Sequence, residues 1–135
     1  MIKNKKKEWI DAKLETFNFY IGGFHGDSDR VCLENNILYQ DSPMHEDEPR
    51  QPFIEGFKLT DEQINLFWKR LDELEVWNWN KEYNDPDTLD GTQWNLKINK
   101  QGRGKLKIFG SNAYPNNFDD FLILLNDFIK DKLYK

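Results

Sequence analysis

The chain has 135 residues, with 19 Lys and Arg against 24 Asp and Glu, for a net charge of −5. That length supports one hydrophobic core, and the acidic balance speaks against a nucleic-acid protein, whose affinity rests on a basic excess. Aromatic residues make up 15%, which argues against a disordered chain, and the apolar residues are too dispersed to span a bilayer.

Residues 1–13 read as a basic arm ahead of a single α+β domain over 14–135. No apolar stretch follows Lys5-Lys6-Lys7, so no secretory leader is expected and the expected location is cytoplasmic. A single cysteine, Cys32, leaves no disulfide to be formed within these residues.

From Glu15 to Ile21, Phe17, Phe19 and Ile21 alternate with polar residues, which predicts a strand. The Gly-rich stretch 22–29 predicts a loop. Arg30 to Asp41 predicts a hairpin turning at Asn35-Asn36, since Asn tolerates positive φ. Ser42 to Pro52 is read as a surface loop, and Phe53 to Lys58 as a short strand. Thr60 with Gln63 forms a capping box ahead of a helix whose apolar face is Ile64, Phe67, Trp68, Leu71 and Leu74. Val76 to Asn80 reads as a brief strand or extended crossing, and Tyr83 to Asp87 as loop.

Trp94, Leu96 and Ile98 share one face of a strand over Thr92–Asn99. It turns at Gln101-Gly102-Arg103-Gly104 into a partner strand, Lys105–Phe109. Asn117 is the expected N-cap of a last helix carrying the stripe Phe118, Phe121, Leu122, Leu125, Phe128 and Ile129. This order predicts an α+β fold: an antiparallel sheet of about five to six strands with two helices packed on one face. Its other face would be wet or would bind something.

The segment Asp90-Gly91-Thr92-Gln93-Trp94, followed by Gly110-Ser111-Asn112-Ala113-Tyr114-Pro115 and Phe118, resembles an uncharacterised bacterial domain family. In that family a D-G-x-x-W strand, a hairpin and a G-x-N-x-Y-P turn precede a C-terminal helix. The resemblance covers roughly residues 54 to 130. It implies the α+β fold and a bacterial or phage origin, and it carries no assigned activity.

Three sets of residues are candidates for function. His25, Asp27 and Asp29 alternate on the Gly-rich loop and could ligate a divalent metal. Trp94, Asn112 and Tyr114 could line a ligand pocket, with Asn112 and Tyr114 touching the ligand. Trp77, Trp79 and Tyr83 lie beside Asp85 and Asp87, within a stretch from Thr60 to Asp90 of nine acids and three bases. Aromatics bordered by charge suit a protein interface. An acidic zone steers a basic partner towards it. By contrast, Lys97, Lys100, Arg103, Lys105 and Lys107 form a basic hairpin, a weaker candidate for touching RNA or DNA.

The sequence contains no phosphate-binding glycine loop or nucleophile elbow. The reading it favours is a small non-enzymatic protein-binding module of the inhibitor or immunity type, with a protein partner, no membrane association and no cofactor. The alternative is a small-ligand- or metal-binding domain, even a hydrolase, built on the 25–29 loop or the Trp94 pocket.

Overall fold

The alternation that predicts the first strand produces β1 (Thr16–Gly23), the centre of a seven-stranded sheet. A computed structural model describes residues 15–23, 28–51, 53–87 and 91–129. The basic arm expected over 1–13 therefore lies outside the described residues, as do His25 and Asp27.

β2 (Ser28–Glu34) and β3 (Ile37–Asp41) form the expected hairpin. Asn35 and Asn36 both take positive φ, 53° and 64°, the pair of left-handed residues that a two-residue turn requires. β4 is only Phe57–Lys58. α1 (Asp61–Glu73) starts on the capping box: Thr60 accepts from the Gln63 amide, and the Gln63 side chain accepts from the Thr60 amide. α1 ends on Glu75, which takes a left-handed backbone (φ 57°, ψ 40°) where glycine is usual.

β6 (Thr92–Lys100) and β7 (Gly104–Ser111) make the second hairpin, and α2 (Phe118–Phe128) closes the fold.

Two expectations about the middle of the chain are corrected. Val76–Asn78 is a 3-10 turn rather than a strand. Val76 and Trp79 both face inward, a period of three instead of two. Tyr83 and Asn84, expected as loop, belong to a strand, β5 (Glu82–Asn84). β5 lies parallel to β7 at the end of the order β4-β3-β2-β1-β6-β7-β5, so the sheet is mixed and larger than expected instead of purely antiparallel.

Register places every inward side chain on the helix side. Phe19 sits between Val31 and Leu96, Phe17 between Leu33 and Ile98, and Leu96 pairs with Ile108. Phe17 meets Phe67 of α1 edge-on at 5.1 Å, and Phe19 meets Phe121 of α2 at 5.0 Å. Each such side chain contributes roughly 1.5–3 kcal/mol on burial. These contacts put both helices on one face. No described helix is long and apolar enough to cross a membrane.

Candidate functional site

The Gly91–Trp94 and Gly110–Tyr114 segments interlock. Trp94 of β6 lies opposite Gly110 of β7, and a Cβ on Gly110 would collide with the Trp94 indole. That close approach lets Trp94 Nε1 donate to the Ala113 carbonyl at 3.0 Å. A Cβ on Gly91 would likewise collide with Asn112 Oδ1, which accepts from the Thr92 amide at 2.9 Å. Asn112 itself has φ 59°, which Asn tolerates. The Gly, Trp and Asn positions thus clamp the β7–α2 turn onto β6. Of the suggested ligand trio, Trp94 is 0% exposed and the Asn112 amide holds this turn, while Tyr114 is 42% exposed and stacks on Trp94 at 6.4 Å.

The suggested protein-binding set divides in the same way. Trp79 is 8% exposed and belongs to the core, edge-on to Trp94 and Phe121. Its Nε1 donates to Asn117 Oδ1 at 3.0 Å, while Asn117 Nδ2 donates to the Leu74 carbonyl at 2.8 Å. Asn117 stands at the start of α2 but makes no side-chain cap. Its amide instead ties α2 to the end of α1.

Trp77 is half-buried, with the Arg103 guanidinium 4.9 Å over its ring. Tyr83 is half-buried against Trp94, and its hydroxyl accepts from the Asn80 amide at 3.0 Å. Asp85 Oδ1 accepts from the Asp87 amide at 3.1 Å, so part of that carboxylate shapes its own turn. Tyr83 and Tyr114 do come together: with Asn78, Asn80 and Asn116 they line a cleft of about 380 Å³ beside β5, with Glu75 on its rim.

The opposite face of the sheet is the part that sequence reasoning left undeveloped. Antiparallel register arranges its outward side chains in rows. One runs Asp41, Arg30, Tyr20, Asn95, Phe109. The next runs Tyr39, Cys32, Asn18, Lys97, Lys107, and a third contains Glu34, Thr16, Asn99 and Lys105.

The loop after β3 folds over the first row. Arg30, 4% exposed, pairs with buried Asp41 through Nε–Oδ1 at 2.9 Å and Nη2–Oδ2 at 2.6 Å. Its Nη1 donates to the Glu46 and Glu48 carbonyls at 3.1 and 2.6 Å. Hydrogen bonding to Asp41 strengthens the guanidinium's hold on its proton. The Ser28 hydroxyl donates to the Pro43 carbonyl, and Asn95 Nδ2 donates to Glu46 Oε2. Beneath this strap, burial and then the carboxylates of Glu46 and Glu48 push the Tyr20 phenol up.

The other two rows stay open as a groove of about 560 Å³. Lys97, Lys105 and Lys107 form one side, Glu34, Glu48 and Arg50 the other, and Asn18 and Cys32 lie between them. Arg50 lies 3.6 Å over the Tyr39 ring and 2.5 Å from Glu34. Burial pushes the Cys32 thiol up to about 11, which keeps it protonated and a poor nucleophile at neutral pH. The signal for this face was present in the alternation of β6 and β7, whose inward residues are largely apolar and whose outward ones include Lys97, Asn99, Lys105 and Lys107.

The metal suggestion keeps only Asp29 among the described residues, and its Oδ1 accepts from Gln40 Nε2 at 3.1 Å. Among the described residues no group of three His, Cys, Asp or Glu converges. No protein-family model matches the chain, and no curated protein matches it either.

Proposed function

We propose that the chain is a small non-enzymatic protein-binding module whose contact face is the outer edge of β5 and the cleft beside it. The observation that carries this reading is Tyr114, 42% exposed, next to half-buried Tyr83 at the end of the sheet. Interfaces favour such aromatics, which present a rigid apolar ring and a polar tip.

Between residues 75 and 87 the chain has four acids, Glu75, Glu82, Asp85 and Asp87, against one base, Lys81, and of these Glu75 lines the cleft. That charge suits a basic partner and would raise its association rate. Trp79 supports the face from within the core and does not touch the partner; Trp77 lies behind Arg103. The high thiol pKa of Cys32 argues against nucleophilic chemistry at that thiol.

Affinity co-purification from the native host, comparing wild type with Tyr114→Ala and Glu82→Lys/Asp87→Lys, tests the reading. A protein retained by wild type and lost by both variants supports it. Equal recovery by all three, with unchanged circular dichroism, overturns it.

A further inference from the structure

We propose that the open face of the sheet is a second binding site, which takes an acidic, extended peptide segment along the lysine side of its groove. Lys97 and Lys107 are direct cross-strand partners, and Lys105 follows at the next outward position of β7. Like charges directly opposite one another on a sheet repel; Glu46 offsets this at Lys97, and an anion beside Lys105 and Lys107 would offset the rest. None of the ion pairs among the described residues takes Lys105 or Lys107. The remaining bases of the hairpin are engaged elsewhere: Lys100 with Glu15 at 3.0 Å and Arg103 with Asp72 at 3.2 Å.

The face already holds one carboxylate. Glu46, delivered by the strap, accepts from Asn95 Nδ2 and lies 3.5 Å from Lys97 Nζ. One row away, Asn99 is the direct cross-strand partner of Lys105. Outward positions on a strand recur about every 6.6–6.8 Å, the spacing at which an extended peptide presents alternate side chains. The groove's volume of about 560 Å³ lies within the range of sites that bury a small ligand or short segment.

A nucleic acid fits less well. Glu48 and Glu34, the latter paired with Arg50, form the facing side of the groove, and the chain as a whole carries −5. A continuous phosphate backbone would meet that repulsion, whereas a peptide places carboxylates only where its sequence does. The strap's Glu46 is then an intramolecular competitor at one end of the site. Removing its charge should strengthen binding.

The test is fluorescence anisotropy with a labelled, end-blocked peptide of alternating Glu and Ser. The Gln-Ser peptide is the neutral control, and a thymidine oligonucleotide of equal charge is the competitor. At a low ionic strength of about 50 mM, wild type should bind the Glu peptide and not the Gln peptide. Lys105→Glu/Lys107→Glu should weaken binding at least about tenfold, and Glu46→Gln should tighten it about two- to fivefold.

Circular dichroism and melting temperature check that each variant folds. Glu46→Gln gives an independent reading if the double reversal does not fold. Absence of binding by wild type, equal binding by Lys105→Glu/Lys107→Glu, no gain from Glu46→Gln, or tighter binding of the oligonucleotide each overturns the proposal.

Discussion

Replacing Arg30 with Met should be among the most damaging single changes in the chain. The methionine keeps the apolar length of the side chain but removes four hydrogen bonds, two to Asp41 and one each to the Glu46 and Glu48 carbonyls. Asp41 is 7% exposed and would be left as a buried carboxylate without its cation. Breaking one partner out of a buried pair costs about 3–5 kcal/mol. The lost strap contacts should also show as faster amide exchange over residues 42–50. Urea denaturation followed by tryptophan fluorescence measures the first effect, with the m-value checked for constancy. The double variant R30M/D41L removes both charges and should recover at least about 2 kcal/mol of the loss. A cost below about 1 kcal/mol for R30M, or a double variant as unstable as the sum of its parts, would refute the reasoning.

Gly110→Ala forces a methyl group into the Trp94 indole and should cost about 2–3 kcal/mol in the same assay; an unchanged midpoint would mean that Trp94 can move aside at no cost. Asn117→Ala strips partners from Trp79 Nε1 and the Leu74 carbonyl and should cost about 1–3 kcal/mol, whereas Asn117→Asp, which keeps the indole's acceptor, should retain part of it. For Cys32 the folded thiol lies near 11, above its ordinary 9.0, so the native state holds the proton longer than the unfolded chain. Its contribution to stability is therefore complete below pH 9 and declines as pH rises towards 11. Labelling by a thiol reagent should be slow at neutral pH and accelerate across that interval, and Cys32→Ala should remove the decline in stability; fast labelling at neutral pH would falsify this.

Short-range rules carried much of the architecture. Thr60 and Gln63 announced α1 because a capping box is complete within four residues. Asn35-Asn36 announced its turn because positive φ narrows the choice of residue. β5 was not legible: three residues, Glu82-Tyr83-Asn84, hold too little alternation to signal a strand, and their parallel pairing to β7 is decided by contacts distant in sequence.

The stretch 42–51 was legible as loop but not as a strap, because Arg30, Asp41, Glu46 and Asn95 belong to one network only after β1 has brought β2 and β6 together. Trp79 misled for a related reason. Its acidic neighbours in sequence suggested exposure, yet its indole nitrogen finds a partner in Asn117, thirty-eight residues away. A buried Trp with a satisfied N–H looks the same in sequence as an exposed one.

The left-handed turn at Glu75 sets stability and surface charge against each other at a single position. Glycine there would relieve the backbone and lengthen the life of the folded state, since a non-glycine residue in that region costs roughly 1–2 kcal/mol. It would also remove a carboxylate from the rim of the Tyr83–Tyr114 cleft. A search for more robust variants of this chain should therefore return Glu75→Gly early, and those variants would approach a basic partner more slowly than the protein they improve.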